Sequence, residues 1–177
     1  MEMNTALGVG DLFNVGDRVV YPMHGAGVIE SIEEREILGQ RQKYYVMHMP
    51  IGDMKVMIPM ANVKSIGLRG VVDEETITEV FERLRSSDED DSGNWNRRYR
   101  ANLDKMKSGD IYELADVVRS LMLRDRDKGL STGERKMLDN ARQILISELV
   151  LAKNLLEEQA IELLDEMVGS DQGSSDK

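Results

Sequence analysis

Residues 18–59 read RVVYPMHGAGVIESIEEREILGQRQKYYVMHMPIGDMKVMIP, and this stretch decides the fold. Its Val, Ile and Tyr residues come in short runs stopped by Gly, Pro or Asp, the pattern of strands joined by tight turns. RVVYP (18–22) leads into a turn at Met23-His24-Gly25, and GVIESIEEREI (27–37) alternates apolar and polar residues. Leu38-Gly39-Gln40 turns the chain into QKYYVMHM (42–49), and Pro50-Ile51-Gly52-Asp53 turns it into MKVMIP (54–59). In this last run Met54, Val56 and Ile58 share one face, Lys55 and Met57 the other. Four or five strands within about fifty residues predict a small SH3-like or Tudor-like barrel with no long helix.

Past about Gly67 the period becomes helical. Asp73 can cap a helix that places Ile77, Val80, Phe81 and Leu84 on one face, with Glu74 and Glu75 favouring the dipole in its first turn. SSDEDDSGN (86–94) reads as an acidic linker or loop. A helix starting at Trp95 or Asn96 would stack Trp95, Tyr99, Leu103 and Met106 in one stripe and stop at Ser108-Gly109. Asp110 opens the next, with Ile111, Leu114, Val118, Leu121 and Met122 inward, and Gly129 ends it. Ser131 and Glu134 have capping-box spacing ahead of a long helix through Leu138, Ala141, Leu145, Leu149 and Ala152, and Asn154 and Glu157 repeat that spacing. The last helix carries Leu155, Ile161, Leu164 and Met167, followed by a disordered tail. The expected fold class is α+β: a β-barrel domain over 1–70, an all-α domain over 71–169 and a tail over 170–177.

Composition narrows the function. With 41% hydrophobic residues in 177 the chain can bury a core, yet its longest purely apolar runs are only a few residues, so no membrane partner is expected. The N-terminal stretch has acidic but no basic side chains, unlike a secretory signal, and the expected location is the cytoplasm. Cysteine is absent, which removes thiol nucleophiles and thiolate metal sites, and the imidazoles of His24 and His48 are isolated. GVGD (8–11) and GAG (25–27) lack the remainder of any phosphate-binding loop. No catalytic residue, metal or cofactor is expected.

The net charge of −10 is unevenly spread. Residues 95–153 hold 13 basic and 9 acidic groups, whereas 71–94 hold 2 and 9 and 154–177 hold 1 and 7. A basic helical segment between acidic ones suggests a localised anion-binding face. Within it NWNRRYRANLDKMKSGD (94–110) concentrates Trp95, Arg97, Arg98 and Arg100 near a helix start, where an aromatic ring can meet an unpaired base while guanidinium groups grip phosphates. The plainer alternative makes Trp95 the cap of a small core and the arginines a solvated face. RDRDK (124–128) and Arg135-Lys136 form a second basic group. Arg135 falls in a first helical turn, where a cation opposes the dipole unless an anion is bound or Glu134 and Asp139 balance it.

From about Phe13 to Met167 the sequence resembles the CarD/CdnL family of bacterial transcription factors. The resemblance rests on FNVGDRVVYPMHGAGVI (13–29), IPMANVKSIGLR (58–69), NWNRRYRANLDKMKSGD (94–110) and LRDRDKGLSTGERKMLDNARQILISELVLA (123–152). The barrel is also similar to the polymerase-interacting module of transcription-repair coupling factors, but the helical half matches CarD/CdnL. The resemblance implies a monomer that docks on the RNA polymerase β subunit, partly by edge-strand pairing, through a surface containing Arg35, Ile37 and Met57. It further implies that Trp95 wedges into promoter DNA at the upstream edge of the transcription bubble while Arg97, Arg98, Arg100 and Arg135 hold the backbone, stabilising the open complex without catalysis. Met57 stands where actinobacterial members carry a second interface arginine, which alters the polarity expected of the docking surface. A stand-alone nucleic-acid binder is the alternative, and the near-neutral barrel and the acidic flanks of the basic segment weigh against strong binding alone.

Overall fold

A computed structural model describes residues 12–87 and 93–170. The chain first forms β1 (Arg18–Tyr21), β2 (Gly25–Ile37), β3 (Gln40–Met49) and β4 (Met54–Pro59). A 3-10 turn at Met60–Asn62 and a one-turn helix α1 (Val63–Ile66) carry it into the short β5 (Arg69–Gly70). The antiparallel sheet has the order β4-β3-β2-β1-β5. A bulge in β2 between Ile29 and Ser31 lets the strand bend around the core. Inside the bend lie Val19, Ile29, Tyr45, Met47 and Ile58. The Tyr45 hydroxyl takes the Phe13 N–H at 2.8 Å and donates to its carbonyl at 2.7 Å, tying the chain's entry to this core.

The strand expectations hold to within two residues at each end, and the helical half follows with α2 (Glu74–Arg85), α3 (Trp95–Lys107), α4 (Ile111–Asp127), α5 (Thr132–Lys153) and α6 (Glu157–Met167). Ile77, Val80 and Leu84 of α2, Leu114, Val118 and Leu121 of α4, Leu145 and Leu149 of α5 and Leu164 of α6 meet in one core. Asp73 and Asp110 cap their helices as expected, accepting from Thr76 N and Tyr112 N. Asn154 differs from expectation. It ends α5 in the left-handed conformation (φ 53, ψ 49), which Asn tolerates, and α6 begins three residues later, with the Gln159 side chain accepting the Leu156 N–H at 2.9 Å. The centre of the expected acidic linker and, apart from Ser170, the expected tail lie outside the described residues.

The sheet packs against α5 through polar contacts. Arg69 bonds the buried Glu148 carboxylate with both terminal nitrogens at 2.8 Å, and its Nε donates to the Gly109 carbonyl at 2.7 Å. The Val72 N–H adds a third donor to Glu148 at 3.0 Å. Ser147 accepts the Ala26 N–H at 2.8 Å, and Arg18 donates to the Leu151 carbonyl. Gly25, at φ 122, brings β2 so close to α5 that a Cβ would lie 3.1 Å from Ser147 Oγ.

Candidate functional site

On the sheet, pairing decides which side chains share a face. Met57 pairs with Val46, Val46 with Ser31, and Arg35 with Gln42. Side chains alternate along each strand, so Arg35, Ile37 and Met57 stand on one face of the sheet. All three are exposed. Arg35 is steered by its strand neighbour Glu33, whose carboxylate accepts from Arg35 Nη2 at 2.8 Å. β2 lies inside the sheet order, yet β1 pairs with it only as far as Val28, so its outer half has β3 on one side and no strand on the other among the described residues. That half offers the backbone groups on which a partner strand can pair.

At its tip stands a residue that sequence reading treated only as part of a turn. Leu38 is 98% exposed and sits at φ 54, beside Gly39 at φ 79. Two successive left-handed residues make the tight turn that a twisted hairpin needs, but Asn, Asp or Gly ordinarily fills the first position. A large apolar side chain therefore stands fully in solvent on a backbone conformation that leucine seldom adopts.

The helical face is built where the start of α3 meets the start of α5. Asn94 caps α3 by accepting Arg97 N at 2.9 Å, and Ser131 caps α5 by accepting Glu134 N at 3.2 Å. The Trp95 ring stacks on Tyr99, with centroids 5.0 Å apart and planes 18° from parallel, and its Nε1–H donates to Ser131 Oγ at 3.0 Å. Both rings lie over Gly133, where an added Cβ would sit 3.6 Å from Trp95 Cζ2 and 3.7 Å from Tyr99 Cε2. The indole is nonetheless 41% exposed: Tyr99 covers one face and Ser131 holds the Nε1 edge, and part of the ring remains open.

The arginines divide. Arg97 and Arg100 project from the outer side of α3 and form no ion pair among the described residues. Arg135 is exposed and bonds Asp125 at 2.7 Å, a surface pair that a phosphate can replace at little cost. Arg98 corrects the expectation that it faces outward. Only 9% exposed, it turns inward and its Nε donates to Glu134 Oε2 at 3.2 Å. Arg98, Asn102 and Met106 are the buried positions of α3, so the helix is rotated from the expected stripe and Tyr99 and Leu103 flank the seam. An aliphatic period cannot reveal a seam made of an arginine and an asparagine.

Glu134 itself is 2% exposed. Burial raises its pKa, but the hydrogen bond and charge of Arg98, with further bonds from Ser131, outweigh that and leave the carboxyl below its ordinary range. Among the described residues no group of three or more His, Cys, Asp or Glu could hold a metal ion.

Two family models divide the chain between them: "CarD-like/TRCF RID domain" over residues 13–72 and "CarD, C-terminal domain" over residues 79–165. A curated Bacillus subtilis (strain 168) protein, "Putative transcription factor YdeB", is 45% identical over 148 residues, spanning 84% of this chain and 97% of that protein. The chain belongs to the CarD family. Membership places this CarD-family protein among transcription regulators that interact with RNA polymerase. A solved structure, the solution NMR structure of the 72-residue N-terminal domain of Myxococcus xanthus CarD, is also similar: 36% identical, covering 33% of this chain and 77% of that one, with a TM-score of 0.30. No described helix of the CarD-family chain is long and apolar enough to cross a membrane.

Proposed function

We propose that the sheet docks this protein, as a monomer, on the RNA polymerase β subunit, and that the helical face then stabilises the open promoter complex at the upstream edge of the bubble. Arg35, Ile37 and Met57 form the docking surface with Leu38 at its tip, and the open half of β2 pairs with a strand of the partner. Trp95 meets DNA where stacking is already broken, while Arg97, Arg100 and Arg135 hold phosphates. Arg98 leaves that set because it is buried. The observation that carries the reading is the Trp95 indole, stacked on Tyr99 and bonded through Nε1 to Ser131 yet 41% exposed, beside two arginines with no ion-pair partner among the described residues. An aromatic wedge that fits melted DNA better than the closed duplex shifts the equilibrium toward melting.

The test compares Trp95→Ala with Arg35→Glu for co-purification with polymerase and for the decay of heparin-challenged open complexes. Trp95→Ala should keep docking and shorten the lifetime, whereas Arg35→Glu should lose docking. Wild-type lifetimes with Trp95→Ala would refute the DNA contact. Wild-type co-purification of Arg35→Glu would refute the docking surface. The alternative of a stand-alone nucleic-acid binder gains nothing from a chain of charge −10, because phosphate binding alone depends on net displacement of counterions.

A further inference from the structure

We infer that the buried Arg98–Glu134 pair, acting through the Ser131 hydroxyl, fixes the orientation of the Trp95 indole, which makes Ser131 and Glu134 positioning residues for that ring. The inference rests on the proposed role of Trp95 at DNA. A serine hydroxyl has one hydrogen to donate and two acceptor positions, and it normally rotates to suit its surroundings. At Ser131 all three are engaged. The hydrogen goes to Glu134 Oε1 at 3.2 Å, and the oxygen accepts the Glu134 N–H at 3.2 Å and the Trp95 Nε1–H at 3.0 Å.

The rotor has no freedom because a carboxylate only accepts, so the hydroxyl hydrogen must point at Glu134 and the lone pairs must face the two N–H groups. Glu134 is kept in that form by Arg98 on its other oxygen at 3.2 Å, with Arg124 Nε 4.0 Å away. The carboxylate thus bonds the Ser131 hydroxyl, where a capping box would have it bond the Ser131 N–H. This departure from the ordinary helix start links α5's cap to α3's tryptophan.

The link supplies what stacking lacks. An indole torsion is roughly two-fold, and stacking on Tyr99 engages no donor or acceptor that would select one flip, whereas the bond from Nε1 to Ser131 does. A buried ion pair adds little to stability beyond what apolar residues of its size would give, and its best-attested use is to specify one arrangement.

Trp95 is the only tryptophan in the chain, so intrinsic emission reports this ring alone. The test uses the full chain with Glu134→Gln, Ser131→Gly and Ser131→Thr. Glycine is nearly as good a helix cap as serine, so Ser131→Gly removes the hydroxyl while sparing the helix. Threonine restores the hydroxyl. Acrylamide quenching of Trp95 should rise in Glu134→Gln and Ser131→Gly and stay at the wild-type value in Ser131→Thr. The open-complex lifetime should fall about fivefold in the first two, the loss expected for one hydrogen bond, with polymerase docking unchanged.

Wild-type quenching in folded Ser131→Gly overturns the inference, and so does a wild-type lifetime in that variant when Trp95→Ala shortens it. Equal losses in Ser131→Gly and Ser131→Thr overturn it as well. Should Glu134→Gln fail to fold, the two Ser131 variants decide. If quenching changes as expected while neither these variants nor Trp95→Ala alters the lifetime, the positioning of the ring stands and the proposed role at DNA fails.

Discussion

Helices α2 and α3 have 12 and 13 residues, and each opens on a side-chain cap, yet they turn different chemistry inward. α2 buries Ile77, Val80, Phe81 and Leu84, whereas α3 buries Arg98 and Asn102 ahead of Met106 and leaves its tryptophan at the surface. Apolar contact is non-directional and roughly proportional to area, so it holds α2 in place without aiming any particular group. Hydrogen bonds to a buried charge depend on direction, and they occur where one ring is held in one orientation. The cost is visible nearby, since Asn102 Nδ2 is buried with no hydrogen-bond partner among the described residues.

The largest expected effect comes from splitting the polar seam. Arg98→Ala leaves the Glu134 charge buried without its main partner and should cost about 3–5 kcal/mol in urea unfolding. Replacing both, Arg98→Met with Glu134→Leu, should restore most of that loss while leaving Trp95 more accessible to acrylamide. If the double variant is as unstable as the single one, the seam matters for packing more than for direction. The apolar seam should respond in the opposite sense. Leu84→Ala should cost about 2–4 kcal/mol and leave the emission of folded Trp95 unchanged. A shifted spectrum would show that the two helices cannot be treated as separate cases.

Acid provides a third, milder perturbation. The folded-state pKa of Glu134 is lowered, since Arg98 and Ser131 outweigh burial, so its contribution is fully present above the unfolded glutamate value of about 4.3 and is lost as pH falls through the folded value. Acrylamide quenching of Trp95 should therefore be flat from neutrality down to about pH 4.3 and rise below it. A rise already near pH 6 would mean that another group controls the ring. The smallest effect tests the converse arrangement, an apolar residue turned outward. Leu38→Asn relieves a left-handed leucine and should raise stability by up to about 1 kcal/mol while weakening polymerase co-purification. Unchanged co-purification would make Leu38 a tolerated oddity of the turn.

The same contrast explains what could be read from the sequence. Strands and turns over 18–59 were legible because alternation and Gly, Pro and Asp stops are local signals, and α2's buried set was legible because it is wholly apolar. Arg98 was misassigned to the surface because charge is normally a mark of exposure, and its partner lies 36 positions away. Glu148 was missed for the same reason, although a lone carboxylate within ILISELVLAK (144–153) is a usable signal of a buried partner. The sequence marks Trp95 as a candidate contact by its place at a basic helix start, but no spacing rule gives its bond to Ser131. The α6 start was misplaced because Asn154 suits a helix end as well as a helix beginning.

The Arg69–Glu148 clasp has a consequence for how contacts combine. Glu148 is 0% exposed and receives three donors from the sheet side of the joint, so the sheet and α5 are joined by directed bonds to a buried charge. A flexible tether would spread a second binding site over the volume its length allows and dilute it accordingly. Here that dilution is absent. Under the proposed function, occupancy at polymerase delivers the indole to a single place at high effective concentration, and a DNA contact too weak to persist in free solution becomes a lasting one through geometry alone.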